Sequence, residues 1–416
     1  MTYLLFLTVI YAVTVAWATR VWAVTIPQIV LFSAVFCVCV QRFRSESTIR
    51  FPLFLAAPGA MAAIGSAQLL FNSTAYAFPT ANSTLDWAGY LACAWLAAQL
   101  RPREMCERVL VWLAYFAGAV GACSILTAFT SPFQIFWLVP ARFEQVFGPY
   151  VYRNHLAGFV ELSLPVVIFL AVRQTERRPL FVTIAAVLVS AVVVAASRTG
   201  LILVGLELFA MLALAAYKQW LTPKASLMFS LLLISSVLAG AAVTGFSFIQ
   251  TRFSEEHPYQ VRYEVLQSTL DMARARPVAG WGLGNFRTVY PAYSRIDPGV
   301  LVNEAHNDWA QWASEGGLGA PLVMLIFALW VLRAGFRTGW ALGPAAIFCH
   351  ALLDYPFEEP SLVLLVMLLS GLAWNSEVHG GGSQLHRSSA RRRNRPTVPG
   401  SSPAWADPVG PATLAK

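Results

Sequence analysis

The fold follows from residues 180–217, which read LFVTIAAVLVSAVVVAASRTGLILVGLELFAMLALAAY. This stretch contains two apolar runs, 180–197 and 199–217, that meet at Ser197-Arg198-Thr199-Gly200. Each run has about the 20 residues that a helix needs to cross about 30 Å of hydrocarbon. The stretch therefore predicts a hairpin of two membrane-spanning helices, with Arg198 held at the tight turn between them.

Apolar runs of this kind recur along nearly the whole chain of 416 residues, of which 57% are hydrophobic and 12% charged. This composition excludes an ordinary water-soluble enzyme and predicts an all-α membrane protein with about 12 transmembrane helices. A nucleic-acid reader is also excluded, because the net charge of +8 lies among apolar runs rather than on one basic face. The predicted spans are 3–19, 21–40, 51–71, 87–100, 108–129, 157–172, 180–197, 199–217, 225–246, 309–332, 339–354 and 360–375.

The distribution of lysine and arginine predicts the orientation of the chain. Most of the 29 basic residues lie on the cytoplasmic side if the N-terminus is cytoplasmic, as the positive-inside rule requires. Both termini are thus predicted to be cytoplasmic, and two long loops, 130–156 and 247–308, to lie outside. The predicted domains are a transmembrane domain of 1–379 and a disordered basic tail of 380–416, which is rich in Gly, Ser, Pro and Arg.

The larger outer loop contains a predicted helix over 259–276, with Pro258 able to open it and Pro277 ending it. Its apolar positions recur at helical spacing, which predicts an amphipathic helix lying at the membrane face. The stretch Gly280-Trp281-Gly282-Leu283-Gly284-Asn285-Phe286 follows. We interpret it as a turn; the alternative is a nest of backbone N–H groups that binds an anion.

The densest polar cluster is Asn303-Glu304-Ala305-His306-Asn307-Asp308, just before a predicted helix. A histidine there suits the removal of a proton from a hydroxyl near neutral pH, with Glu304 as the second candidate base. The alternative is a helix cap, in which Asn307 or Asp308 binds the first amide groups of the helix.

Arg198 is the other notable residue, because a guanidinium at membrane depth is costly and by default indicates a site. Its natural partner is a phosphate or carboxylate, which matches the fork of its N–H donors. The alternative is that the side chain extends to the outer lipid headgroups. The six cysteines lie in or beside the apolar runs, so neither a disulfide framework nor a metal site is expected, and no cofactor either.

An ordered set of motifs resembles the O-antigen ligase and polymerase superfamily. The set consists of Ser197-Arg198-Thr199-Gly200, Arg262 before Pro277, Gly280-x-Gly282-x-x-x-Phe286, His306-Asn307, and Glu315-Gly316-Gly317-Leu318-Gly319. The stretch 151–158, VYRNHLAG, resembles an outer-loop motif found upstream in many members. The resemblance covers about residues 148–320, and beyond them it is one of topology only.

The resemblance implies a GT-C-like membrane glycosyltransferase of the bacterial inner membrane that takes a glycan from undecaprenyl diphosphate on the periplasmic side. Ligases of this superfamily transfer the glycan to a sugar of the lipid A core, and polymerases to another lipid-linked repeat. It further implies that Arg198 and Arg262 bind the diphosphate and that His306 is catalytic. Besides donor and acceptor, the expected partners are membrane lipids and no nucleic acid, and we expect a monomer.

The chemistry places demands on other residues as well. With no metal site visible, fixed cations must neutralise the leaving phosphate, and Arg153 is a third candidate beside Arg198 and Arg262. Asn154, His155 and Asn307 are possible pocket residues. Glu161 and Glu207 lie inside apolar runs; they brace helices or touch the substrate or, in the alternative class of a lipid-glycan flippase or secondary transporter, belong to a translocation path. The spacing of His350 and Asp354 predicts a shared helix face, where they could form a buried pair that orients the site or, in the interpretation we favour, only brace the bundle.

Overall fold

The computed structural model describes residues 1–18, 21–100, 103–141, 145–220, 234–235, 238, 257–295, 299 and 301–393. Within these ranges the chain is mostly helical, and β1 (Gln134–Ile135) pairs antiparallel with β2 (Val139–Pro140) in a short hairpin. The predicted all-α class is thereby confirmed. The α-helices in these ranges are α1 (Thr2–Thr14), α2 (Val21–Arg44), α3 (Ala56–Leu70), α4 (Ala77–Ala98), α5 (Arg103–Thr130), α6 (Arg153–Arg173), α7 (Arg178–Ala195), α8 (Arg198–Tyr217), α9 (His257–Ala275), α10 (Phe286–Val289), α11 (Asp308–Gly316), α12 (Gly319–Thr338), α13 (Leu342–His350) and α14 (Pro360–Arg393).

Seven helices in the described ranges are long and apolar enough to cross a membrane. Two further apolar helices, Thr2–Thr14 and Pro360–Ser376, are shorter. A multi-pass membrane protein follows, whereas the span predicted at 225–246 lies outside the described residues. The seven are Val21–Arg44, Leu53–Leu70, Glu104–Thr130, Arg153–Arg173, Arg178–Ala195, Arg198–Tyr217 and Gly319–Thr338.

One predicted span, 309–332, is divided into two helices, α11 and α12. Between them Gly317 has a φ of +70°, a conformation that residues with a side chain rarely adopt. A Cβ at this position would also clash with the carbonyl oxygen of Val278. The hydrophobic run therefore ends its first helix at Gly316, and only α12 has the length of a membrane span.

α6 lies at the centre of the bundle, with 89% of its apolar window buried, and packs against α5, α7, α8 and α13. Gly343 lets α13 approach α6 closely, because a Cβ there would fall 2.6 Å from the carbonyl oxygen of Glu161. This approach brings His350 onto Glu161, with Nδ1 2.9 Å from a carboxylate oxygen and both side chains buried.

The predicted helix at 259–276 is confirmed by α9, which ends at Ala275, two residues before Pro277. One face of α9 buries Val265 and Met272 in a small apolar cluster with Phe286 and Tyr290. Val261, which belongs to the same helical spacing of apolar residues, is exposed. Packing against the loop that follows thus determines which side of α9 is buried.

The last helix, α14, continues to Arg393, past residue 380 where the tail is predicted to begin. No proline lies between Pro360 and Pro396, so the backbone N–H groups of this stretch can all enter helical hydrogen bonds. Contacts divide the chain into two units, Met1–Glu377 and Val378–Lys416. The remainder of the predicted tail, 394–416, lies outside the described residues.

Candidate active site around Asp354

Asp354 lies in the turn after α13, and its side chain is buried. Nδ1 of His306 lies 3.2 Å from Oδ1 of Asp354. Nη2 of Arg262, on α9, lies 3.6 Å from Oδ2. Two residues that the sequence motifs singled out in different segments therefore share one carboxylate.

The start of α6 supplies further donors to the same carboxylate. The hydroxyl of Tyr152 donates to Oδ2 of Asp354 at 3.2 Å, and the amide of the buried Asn154 donates to that oxygen as well. Arg262 in turn donates from Nη2 to the hydroxyl of Tyr152 at 3.1 Å. The loop before α11, α9 and the start of α6 thus meet at Asp354.

Arg198 is connected to this region by the chain, because its neighbour Ser197, the N-cap of α8, contacts Asn154. The Ser197 hydroxyl accepts a hydrogen bond from the Gly200 amide at 3.1 Å and donates to Oδ1 of Asn154 at 2.7 Å. Because Asn154 also bonds to Asp354, the first turn of α8 is tied to the cluster. Arg198 is the first residue of that turn and is half-buried.

The surroundings of Asp354 keep its carboxyl group ionised. Burial alone would raise the pKa of Asp354, but the hydrogen bond with His306 and the charge of Arg262 outweigh burial and hold the pKa below its ordinary value. The carboxylate is therefore a fixed negative charge at neutral pH. It can orient an imidazole and stabilise its protonated form.

His306 is held in one orientation by its backbone and by its neighbours. Its φ of +51° is unusual for a residue other than glycine, and its ring packs edge-on against Tyr355 with centroids 4.9 Å apart. Nδ1 faces Asp354, so a proton on Nδ1 leaves the lone pair on Nε2, at the far side of the ring. The side chain is 29% exposed, so an alcohol can reach it.

Arg262 is held by its Nη atoms and remains partly open to solvent. Nη1 donates to the carbonyl oxygen of Leu353 at 2.9 Å, and the side chain is 29% exposed. Arg153, one residue before Asn154, is also half-buried at this end of α6. Nδ1 of His155 lies 3.6 Å from Oε2 of Glu359, and its ring packs edge-on against Tyr355. His155 therefore borders the cluster without contacting Asp354 in the described interactions.

Glu304 and Asn307 have other partners. The carboxylate of Glu304 accepts a hydrogen bond from Gln311 at 3.0 Å, and Gln311 also donates to Glu358. None of the described hydrogen bonds joins Glu304 to Asp354. Burial raises the pKa of Glu304 to about 7. Asn307 is the N-cap of α11: Oδ1 accepts from the amide of Ala310 at 2.9 Å. The cap interpretation of Asn307 is thus confirmed.

The glycine-rich stretch after α9 wraps around Glu315. The amides of Gly284 and Phe286 each donate to one carboxylate oxygen of Glu315 at 2.8 Å. The stretch is therefore both the turn and the nest of N–H groups that were considered as alternatives above, but the nest is filled by the carboxyl group of Glu315 from the chain itself. The side chain of Glu315 therefore connects the loop after α9 with α11.

His350 and Asp354 do not form the pair that their spacing suggested. α13 ends at His350, whose ring contacts Glu161, while Asp354 lies in the turn beyond and contacts His306 and Arg262. The helical spacing rule does not hold because the helix does not extend to Asp354. Sequence reasoning therefore missed Asp354 as the centre of the site, and its charge at the end of an apolar run was the one available signal.

This arrangement combines a positioned base with fixed cations. His306 can accept a proton from an attacking hydroxyl, and Arg262 can stabilise charge on a departing phosphate. In the described part of the chain, no group of three or more His, Cys, Asp or Glu side chains could hold a metal ion. Metal independence itself stays a prediction.

Comparison with known proteins bears on the same region. Residues 183–322 match the family model described as O-Antigen ligase. The matched segment contains Arg198, Arg262, His306 and Glu315, and the resemblance to the O-antigen ligase and polymerase superfamily is thereby confirmed. A search of curated proteins found no match. The family implies a glycosyltransferase-like enzyme that acts on lipid-linked glycans in a membrane.

Proposed function

We propose that this chain is an O-antigen ligase-like glycosyltransferase that moves a glycan from undecaprenyl diphosphate to a sugar hydroxyl of the lipid A core, on the periplasmic face of the bacterial inner membrane. One observation carries the proposal: His306 and Arg262 meet on the ionised Asp354. A base and a phosphate-binding cation on one carboxylate are what glycan transfer from a diphosphate needs.

The reaction gives His306 and Arg262 different tasks. The acceptor oxygen forms a bond to the anomeric carbon of the glycan, and its proton passes to Nε2 of His306. The bond between that carbon and the diphosphate oxygen breaks, and undecaprenyl diphosphate leaves with the electron pair. Arg262, with Arg198 and Arg153 nearby in the fold, stabilises the negative charge of the leaving group.

Arg198→Ala tests the phosphate-binding role. Loss of one donor of this kind costs on the order of 3 kcal/mol of barrier, so transfer should fall by about 10²-fold or more. The purified variant should elute and unfold like wild type. Arg173→Ala, at the opposite end of α6 from Arg153, is the matched control and should leave transfer unchanged. If Arg198→Ala instead fails to fold, the residue has a structural role.

The acceptor separates ligase from polymerase, which is the alternative within the same superfamily. Purified protein is incubated with lipid-linked glycan, with and without lipid A core. A single core-linked product supports the ligase, and a ladder of products without core supports the polymerase. We expect addition of a chelator to leave transfer unchanged; its abolition by the chelator would contradict metal independence.

A flippase or secondary transporter is the candidate from another class, and the buried polar groups inside the bundle favour it. Glu161 and His350 form a buried pair, and both carboxylate oxygens of the buried Glu207 lack a hydrogen-bond partner among the described residues. Intramembrane groups of this kind often mark ion or proton paths. Product formation in detergent supports the transferase, and activity that requires sealed vesicles supports the carrier.

A further inference from the structure

A cavity lies beside the Asp354 site, between α1, α2, α4 and the start of α14. Its volume of about 460 Å³ is within the range of about 300–1,000 Å³ that is usual for small-molecule sites. Neither Arg262 nor His306 lines it. The cavity is therefore separate from the residues proposed above to bind the diphosphate.

The residues that line this cavity include three with carboxyl groups, Asp86, Glu358 and Glu359. Gln28, also in the lining, donates to Oδ1 of Asp86 at 2.7 Å, and Gln311 donates to Oε1 of Glu358 at 2.9 Å. Burial raises the pKa of Asp86 and of Glu359 to about 7 and that of Glu358 well above its ordinary value. Among the described lining residues there is no lysine or arginine, so the lining offers hydrogen-bonding carboxyl groups and no cation.

Other lining residues are aliphatic and come from the end of α1, from α2 and from α14, including Val15, Val24, Leu31 and Leu364. A lining with both polar and apolar residues suits a molecule that has a hydrophilic head and a hydrocarbon chain. A free sugar or a soluble cation would leave the apolar residues without a partner.

Glu359 connects the cavity to the Asp354 site. Its Oε1 accepts a hydrogen bond from the hydroxyl of Ser361 at 2.9 Å, and its Oε2 lies 3.6 Å from Nδ1 of His155. The His155 ring packs against Tyr355, and Tyr355 packs against His306. Two ring contacts thus separate the carboxylate-lined wall from the proposed base.

We propose that this cavity binds the acceptor, a glycolipid whose attacking hydroxyl belongs to an uncharged sugar. The proposal rests on the proposed function, and it assigns donor and acceptor to neighbouring sites with different polar groups. Carboxyl groups exchange hydrogen bonds with sugar hydroxyls, and the described lining residues offer no cation to a diphosphate. Arg262, in the neighbouring site, does offer one.

Two substitutions test the cavity in purified, detergent-solubilised protein. Gly89→Leu fills it, because the side chain would extend from α4 toward Gln28. Asp86→Asn replaces the carboxyl group with an amide of nearly the same shape. Gly205→Leu is the matched control, since Gly205 is exposed on α8 and a Cβ there meets no atom within 4 Å. The KM is measured for lipid A core that lacks O-antigen, at saturating lipid-linked glycan, and then for the donor at saturating core.

Gly89→Leu should raise the acceptor KM by about tenfold or more and leave the donor KM within about twofold of wild type. Asp86→Asn should raise the acceptor KM by up to about tenfold, the usual effect of losing one hydrogen bond. Gly205→Leu should match wild type in both. An unchanged acceptor KM in both cavity variants, or a raised donor KM instead, would overturn the assignment.

A separate binding measurement distinguishes failure of this inference from failure of the proposed function. If wild type makes no product from any donor, the proposed transfer is wrong. Binding of lipid A core to wild type and to Gly89→Leu, measured by microscale thermophoresis, then still decides the role of the cavity. Equal affinity in the two proteins overturns the inference, and weaker binding to Gly89→Leu supports it.

Discussion

Asp354 and Glu315 are both buried carboxylates that join separate segments, but they are bound by different donors. Side chains surround Asp354: His306, Arg262 and Tyr152 all contact it. Backbone amides bind Glu315, one to each oxygen, at 2.8 Å. Side-chain donors that remain partly exposed can also contact a substrate, whereas backbone amides closed around a carboxylate cannot.

The two carboxyl groups also differ in their pKa. Burial raises the pKa of Glu315 to about 8, helped by the charge of Glu358 and opposed by the two amides. The pKa of Asp354 is instead below its ordinary value, because the hydrogen bond with His306 and the charge of Arg262 outweigh burial. The difference indicates that Asp354 takes part in charge chemistry and that Glu315 closes a loop. Substitutions at the two carboxyl groups and at Arg262 test this difference.

Asp354→Asn should have the largest effect, a loss of transfer on the order of 10³-fold or more. An asparagine can present an NH₂ group to Nδ1 of His306, which favours the tautomer with its proton on Nε2, so the base is lost. Transfer by the purified variant is measured at neutral pH, with the unfolding temperature as the control for folding. Activity near that of wild type would show that Asp354 does not orient the base.

Arg262→Ala should lower transfer by about 10²-fold, because one phosphate-binding donor is lost. Arg262→Lys should restore only part of the activity, since an ammonium group cannot reproduce the fork of the guanidinium. The comparison is made on kcat with saturating donor. Full rescue by lysine would mean that charge alone matters, and no loss in the alanine variant would remove Arg262 from the site.

Glu315→Ala should act on stability. The buried amide of Phe286 and the partly buried amide of Gly284 would lose their acceptor, which costs about 2–4 kcal/mol. The unfolding temperature in detergent should therefore fall, while the activity of the folded fraction stays close to wild type. Glu107→Ala, on α5, is a control for loss of a carboxylate elsewhere. A variant that is fully stable yet inactive would place Glu315 in the reaction and erase the contrast with Asp354.

The smallest expected effect is a pH dependence of stability. Because the pKa of folded Glu315 is raised to about 8, its contribution is present below its ordinary pKa and is lost as pH rises toward and through 8. The unfolding temperature should therefore decline from weakly acidic to weakly alkaline pH. Glu315→Gln cannot ionise and should flatten that decline; the same slope in wild type and variant would assign the dependence to another group.

Local sequence patterns predicted several elements of this molecule well. Pro258 lies in the first turn of α9 and Pro277 follows its end, and Asn307 is the N-cap of α11. These predictions succeed because proline and capping residues act on the backbone within a few positions. The motifs containing Arg262 and His306 identified two residues that the structure brings together on Asp354.

Predictions that depended on distant contacts did less well. The spacing of His350 and Asp354 suggested one helix face, but α13 ends at His350 and the two side chains contact different partners. The glycine-rich stretch gave no sign that Glu315 would fill its nest. In each case the residues in contact lie far apart in the sequence, so no periodicity or spacing rule relates them.

The apolar runs in the sequence are enough to establish the fold class of this protein. Its long apolar runs require a helical membrane bundle, because helices satisfy every backbone polar group in lipid. Two features are visible only in the folded chain. Arg262, His306 and Asn154 all contact Asp354, and a cavity lined by carboxyl groups lies next to them. Hydrophobicity acts through the composition of each segment, whereas a site depends on contacts between segments that only packing brings together.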